Sequence, residues 1–437
     1  MPRLWLHNAW TEHMVDRMDL LTRDDIDDHL FGTKRLVWLA RDGDALVLPG
    51  PVPGAFLAHV ARHTGIRPDR VHVVAPDADI LTQGVLHSAH VLGRLRELVT
   101  PDWEFRPYIH DRGAEILAQE LGLVTGSRFM AEGGAELLNS KVVFRALAAG
   151  AGFAVPDGIA CRTSEDLVRT LRRLLATHKS VILKRDRAVG GHGNTVITTE
   201  PGLEGTGALR TIVLDDAADH GQVLEETGLT ATHAPLGEVV LEVFHPGCTS
   251  VYVEVDCPER GEPVVLNGGR LRIDRHPPVF AGLVLPPGSV PGPAWERFTA
   301  EALRLARLVR DLGYRGPASI DAVIDQAGDV WFNEVNARMG ASTHLHHIAE
   351  TLVGPRWTDS HVLVSRVNVR APALDRLLPA LGERGLAWDP RRRRGIVIAS
   401  DATASAGTLE YVVLAHDHEE AELLEDRLTA VLPHHDR

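Results

Sequence analysis

The chain has 437 residues, 44% of them apolar and 24% charged, the profile of a soluble globular protein long enough for two to four domains. Its formal net charge of −13 and the lack of a basic stretch that dominates any region argue against general nucleic-acid binding. No run of 18 apolar residues suggests a membrane span, and Cys161, Cys248 and Cys257 lack the spacing of a zinc site or a disulfide framework.

The amino-terminal stretch Met1-Pro-Arg-Leu-Trp-Leu has no apolar core of signal-peptide length, so the expected compartment is cytoplasmic. Residues 1–125 alternate between strand and helix patterns. Strands are predicted at 36–40, 45–48, 71–74 and 104–109, and helices at 55–63, 87–98 and 112–121. That alternation implies an open, largely parallel sheet covered by helices. No GxGxxG follows the first of these strands, so no dinucleotide site is expected there. Residues 126–134 are rich in small side chains and mark a boundary.

An amphipathic helix is predicted over 136–150, carrying Lys141 and ending at a glycine. A strand follows residue 158, then a helix capped by Ser164. The apolar strand 180–184 ends in Lys184 and runs into Gly190-Gly191-His-Gly193, after which Thr195-Val-Ile-Thr resumes as a strand. A glycine loop between two strands makes a flap whose N–H groups can cover phosphates, although no GK[ST] is present as in a P-loop. Further strands are predicted at 238–243, 250–255 and 263–273, the last carrying Arg270 and Arg272, and a long helix at 295–312. Only four of the 46 basic residues are lysines (34, 141, 179 and 184), so a lysine kept in this arginine-rich chain points mildly to a site needing a compact ammonium. The Arg391–Arg394 run reads as a solvated loop before a strand.

Residues 318–338 read as strand, turn, strand. Alternation sends Glu334, Asn336 and Arg338 to one face and Val335, Ala337 and Met339 to the other. A symmetric turn of two or four residues would set Asp321 opposite Glu334, with Cβ atoms roughly 4.5–5.5 Å apart. An odd turn with a bulge would shift the register by one. Facing carboxylates repel unless a cation lies between them, and Asp, Glu and Asn offer only oxygen, which suits Mg²⁺ or Mn²⁺. Arg338, on the same face, supplies a fork for phosphate.

The ordered series (Lys141 on a helix, Lys184 before a glycine flap, Leu-Glu-Val-Phe, an Asp strand, then Glu-x-Asn-x-Arg) resembles the ATP-grasp superfamily over about residues 135–345. The layout resembles most closely its pheganomycin-type peptide ligases. The resemblance implies an α/β and α+β protein: a pre-ATP-grasp αβ domain (1–125), an ATP-grasp domain (126–350) and a carboxy-terminal αβ appendage (351–437). It implies ATP at Lys141, Lys184, the flap glycines 190, 191 and 193, and a hinge of Glu242, Val243, Phe244 and His245. It also implies Mg²⁺ (or Mn²⁺) at Asp321, Glu334 and Asn336, with Arg338 at the transferring phosphate and Arg270 or Arg272 gripping the substrate. The family often has a carboxylate for the ribose after the hinge; here Cys248-Thr249-Ser250 stands there, leaving Thr249 or Ser250 for that task. The implied activity is ATP-dependent amide formation from a carboxylate and an amine or peptide, with no nucleic-acid or membrane partner and a homodimer left open. The alternatives are a ligase of single amino acids or metabolites, a phosphotransferase on the same fold, and a nucleotide-binding scaffold without turnover.

Overall fold

The computed structural model describes residues 1–12, 14–15, 18–188, 193–214, 220–227, 229, 239–274 and 278–432. Three sheets follow one another along the chain. The first comprises β1 (Arg3–Leu6), β2 (Ala45–Val47), β3 (His72–Val74) and β4 (Glu104–Pro107), all parallel, in the order β3-β2-β1-β4. Helices Gly54–Thr64, Ala89–Leu98 and Arg112–Glu120 cover it, as their periodicity requires. One local expectation fails here. The apolar run at 36–40 is not a strand but a 3₁₀ turn, Lys34–Leu39, with Leu36, Val37, Trp38 and Leu39 all buried. A short run apolar on every side carries no period that separates helix from strand. The fourth strand of the sheet is instead β1, whose alternation is too brief to stand out.

The second sheet holds β5 (Gly158–Cys161), β6 (Ser180–Arg185), β7 (Asn194–Thr198), β8 (Arg210–Val213) and β9 (Val239–Val243), in the order β5-β9-β6-β7-β8. The predicted helix at 136–150 is broken at Asn139-Ser140 into Gly134–Leu138 and Lys141–Gly150, because the Ser140 hydroxyl accepts from Val143 N and starts a new helix. The next helix, Ser164–Leu175, is capped by Thr163 and not by Ser164.

The third sheet is antiparallel: β10 (Thr249–Cys257), β11 (Val264–Ile273), β12 (Phe280–Leu285), β13 (Gly316–Ile324), β14 (Val330–Asn336), β15 (Val362–Arg370), β16 (Gly395–Ala402) and β17 (Thr408–Ala415). Its order is β14-β13-β10-β11-β12-β15-β17-β16, so the carboxy-terminal strands lengthen the central sheet through β12. One apolar core joins Trp38 and Phe56 of the first region to Leu363, Val397 and Val413 of the last. A second core lies under the long helix Gly292–Leu312 and takes Val251, Val253, Ile320, Phe332 and Val335 from one face of the sheet. The other face of those strands is polar, and it looks toward the second sheet.

Candidate active site

The facing pair on the hairpin forms by a route the alternation alone does not reveal. The turn runs from Asp325 to Asp329, an odd length, with Ile324 paired to Val330. The Asp325 carboxylate fixes it by accepting from Ala327 N at 2.9 Å, Asp329 N at 3.0 Å and Trp331 Nε1 at 2.9 Å. A bulge at Asn333 then shifts the register back, and Asp321 pairs with Glu334. The bulge also inverts the phase of β14. Phe332 goes to the core at 2% exposure, and Glu334 and Asn336 go to the polar face.

Asn336 Nδ2 donates to Asp321 Oδ2 at 3.0 Å and to Glu334 Oε1 at 3.2 Å, bridging the two carboxylates. Ser319 donates to Asp321 at 2.7 Å, Arg338 donates to Asn336 Oδ1 at 2.6 Å, and Lys141 Nζ lies 3.1 Å from Glu334. Burial, and then the neighbouring Glu334 charge, push the Asp321 carboxyl up to about 7. Burial works the same way on Glu334, but the Lys141 ammonium outweighs it and holds that carboxyl down to about 2. Two carboxylates and an amide, sharing one bridging N–H donor where a cation could sit, fit a hard divalent ion that takes its remaining oxygens from phosphate and water. Among the described residues no cluster of three or more His, Cys, Asp or Glu side chains offers an all-protein cage.

The opposite wall is β6 and β9. Lys184 is buried and lies 2.6 Å from Glu242, which also takes Arg145 at 2.8 Å. Arg145 is held in turn by the Pro156 and Gly158 carbonyls. Asp186 accepts from Ser140 Oγ at 2.8 Å and Val142 N at 2.9 Å, so it locks the loop after β6 to the start of the Lys141 helix. Lys141 also donates to the Ala188 carbonyl at 3.1 Å. A narrow cavity lies between the walls, lined by Lys141, Lys184, Glu242, Phe332 and Asn333. At the neck of the flap a Cβ on Gly193 would meet the Ala188 Cβ at 2.4 Å, which explains the glycine there. Gly190 and Gly191 lie outside the described residues.

The other site residues separate into those that join this cleft and those that do not. In the hinge, the Val243 and Phe244 N–H groups are taken by the Asp157 and Ser180 carbonyls. The His245 ring stacks on Trp331 at 5.1 Å and, among the described residues, keeps a buried Nε2 without a partner, which leaves the side chain available. Thr249 alternates with Val251 onto the core face. Ser250, opposite Val323, is the one that shares the face of Asp321. Arg270 and Arg272 do not reach the carboxylates. Arg270 pairs with Val251, whose partner on β13 is Ala322, so both arginines project from the opposite face of the sheet. There Arg272 forms an ion pair with Glu425 of the last helix at 2.7 Å. The expectation that they grip substrate beside the metal pair is corrected by this register.

Glu254 was not legible. It is fully buried on the polar face, paired across the sheet with Ser319 and Asn267. It accepts from Asn267 at 2.7 Å, from Ser342 at 2.7 Å and from Thr343. Gly340 N donates to Thr343 Oγ1 at 2.9 Å, so Glu254 anchors the loop that follows Arg338. Its only sequence signal is an acid where the flanking Val251, Val253 and Val255 mark a core strand.

Comparison with known proteins follows this geometry. A family model described as the pre ATP-grasp domain matches residues 33–123, and one described as the PGM1 C-terminal domain matches residues 376–428. No curated protein matches the chain in sequence. Among solved structures, N5-carboxyaminoimidazole ribonucleotide synthetase from Thermus thermophilus superposes with a TM-score of 0.58 at 14% identity, covering 99% of each chain. The biotin carboxylase domain of Hydrogenobacter thermophilus 2-oxoglutarate carboxylase, in complex with MgADP, ADP and bicarbonate, gives 0.59 at 13% identity, over 98% of this chain and 89% of that one. The L-amino acid ligase from Bacillus licheniformis gives 0.55 at 14% identity, over 99% and 98%. The chain has the ATP-grasp fold, with a pre-ATP-grasp domain in front and a carboxy-terminal region behind. No helix among the described residues is long and apolar enough to cross a membrane.

Proposed function

We propose that the protein is an ATP-dependent carboxylate–amine ligase that forms an amide through an acyl phosphate and releases ADP and phosphate. The observation that carries this reading is the Asp321–Glu334 pair with Asn336 and Arg338, with Lys141 against Glu334 and Lys184 on the other wall of the cleft. A carboxylate is a poor acyl donor because oxide is its leaving group. Transfer of the γ-phosphoryl group to a carboxylate oxygen supplies a good one. The amine then attacks the acyl carbon, phosphate departs with the C–O bond electrons, and the amine proton passes to solvent.

Lys141 and Lys184 offset triphosphate charge, and Arg338 holds the transferring group in line. Mg²⁺ held by Asp321, Glu334 and Asn336 would neutralise the remaining phosphate charge. His245 and Ser250 face the nucleoside end. The loop around Gly193 excludes water from the acyl phosphate. The structural neighbours include an L-amino acid ligase, and the PGM1 C-terminal match falls where an appended region was expected; both support a substrate of the amino-acid or peptide class in natural-product biosynthesis. The test is product stoichiometry with pooled carboxylates and amines. Amine-dependent ADP and phosphate are expected, whereas AMP with pyrophosphate would exclude the acyl-phosphate route.

A further inference from the structure

The carboxyl ends of β1 and β4, adjacent strands of the first sheet, carry a dense polar cluster. In open α/β sheets this is the edge where ligands bind, at the point where the strand order turns back. Most of its buried polar groups are paired internally. Asn8 exchanges hydrogen bonds with the Ile109 backbone at 2.8 and 3.2 Å, Thr11 donates to Asp111 at 2.8 Å, and His110 meets Glu115 at 2.8 Å. Two groups are exceptions. His7, one residue past β1, is 2% exposed, and His29 is 4% exposed, yet among the described residues His7 Nδ1 and His29 Nε2 have no hydrogen-bond partner. A buried polar atom left unpaired is costly, so two in one place require an explanation.

The two rings lie 5.9 Å apart between centroids. Trp10 stacks on His29 at 5.3 Å and Tyr108 lies against His7 at 4.9 Å, so aromatic rings hold the two imidazoles in place. Burial holds both imidazoles neutral, His29 down to about 4, and the nearby Lys34 charge lowers both further. A neutral imidazole can present an N–H, and a second cation, Arg35, also lowers His7, although its Nε is paired with Glu410. The box adjoins the catalytic face, since Met339 N, next to Arg338, donates to the Tyr108 carbonyl at 3.0 Å.

We propose that His7 and His29 donate N–H groups to a carboxylate of one of the two substrates, a carboxylate distinct from the one activated by ATP. The class follows from the chemistry: two neutral N–H donors with Lys34 and Arg35 nearby, and aromatic rings stacked against them, match a planar anionic acceptor on a small organic molecule. In naming a substrate group this rests on the ligase reading, but the site itself does not. The carboxylate can come from an amino acid or peptide acceptor or from a second acid on the acyl donor.

Two measurements test it. In the first, malonate is titrated into the nucleotide-free full chain and followed by the histidine side-chain ¹⁵N resonances. Saturable shifts at His7 and His29 are expected, with affinity at least tenfold lower in His29→Phe, which keeps the ring against Trp10 but removes the nitrogens. His7→Phe should act likewise, and His29→Leu, which also has no donor, serves should a Phe variant not fold. Malonate that moves neither histidine, or binds all variants alike, overturns the proposal. In the second, KM is measured by ADP release for an active acid–amine pair. The His29 variant should raise KM at least tenfold for one substrate and leave KM for ATP unchanged. Repeating this with the decarboxylated amine and with a donor lacking its second acid identifies the source. A KM unchanged for both substrates also overturns it. If malonate binds the box but no acid–amine pair gives ADP, the carboxylate site stands and the ligase reading falls.

Discussion

Two arrangements of carboxylates, one buried and one half-buried, sit one row apart on the same face of the central sheet, and they differ in what surrounds them. Glu254 accepts from three neutral donors, Asn267 on β11 and Ser342 and Thr343 at the start of the helix Thr343–Leu352. Asp321 and Glu334, one row along, share a single amide from Asn336, supplemented by Ser319 on one side and Lys141 on the other. A carboxylate has about four acceptor positions. Glu254 has most of its own filled by protein, whereas the facing pair keeps lone pairs open and repels itself. The first arrangement anchors a loop and the second waits for a cation.

That difference is broken most severely at Glu334. Glu334→Gln removes half of the facing pair, and a loss of turnover of about 10²–10³-fold is expected at ordinary Mg²⁺. Repulsion at Asp321 is relieved while Lys141 loses its partner, so thermal unfolding of the metal-free protein should change little. Wild-type turnover in this variant would remove the metal assignment. Glu254→Gln should show the inverse profile. An amide cannot accept as many donors, so about 1–3 kcal/mol of stability should be lost in denaturant unfolding. Turnover should fall less than in Glu334→Gln, because Arg338 is displaced and not deleted. A variant as stable as wild type would mean that the loop does not depend on Glu254.

Across the cleft the comparison is sharpened by two lysines. Lys184 is 8% exposed against Glu242, and Lys179 is a surface residue paired with Glu200 at 2.7 Å. Glu242 is already engaged by the Arg145 guanidinium, so a second, wider fork at 184 has no room. Lys184→Arg should fold normally and lose at least tenfold in kcat/KM for ATP, about 1.4 kcal/mol. Lys179→Arg should be silent. Equal ATP kinetics in both would make Lys184 a structural lysine.

How much of this was legible depended on whether a residue's place is set by period or by register. Asp321, Glu334, Asn336 and Arg338 come from one hairpin, where alternation and short sequence distance fix the face. Even so, the pairing survived only because an odd turn and the Asn333 bulge cancel. Arg270, Arg272 and Thr249 sit on separate strands, and their faces depend on cross-strand register, which a shift of one residue inverts. Glu254 and the His7–His29 pair were silent because their partners come from distant segments. The joining of β15 to β12, which merges the tail with the central sheet, is likewise a long-range pairing with no local signature.

The smallest expected effect concerns protons at the facing pair and needs no ligand. Asp321 is raised in the folded protein to about 7 from an ordinary 3.8, so it binds a proton that the unfolded chain has released. A raised carboxyl contributes stability below its unfolded value, and that contribution is lost as pH climbs through its folded value. Glu334, depressed to about 2 from 4.5, behaves oppositely: its contribution is present above 4.5 and is lost only as pH falls toward 2. Between about pH 4.5 and 7 the two do not overlap: of this pair only Asp321 titrates, and its contribution falls as pH rises. The buried histidines with lowered values act in the opposite sense and cancel in a comparison with a variant at 321. Asp321→Asn cannot titrate. The Tm of wild type minus that of the variant should therefore decline over this window, by a few degrees at most in a chain of this size. Mg²⁺ competes with the same proton, so adding it should raise wild-type Tm more at pH 7.5 than at pH 5.5 and leave the variant nearly unchanged. A Tm difference flat with pH in the metal-free protein would mean that Asp321 and Glu334 are both ionised and that Asn336 and Lys141 already compensate them fully.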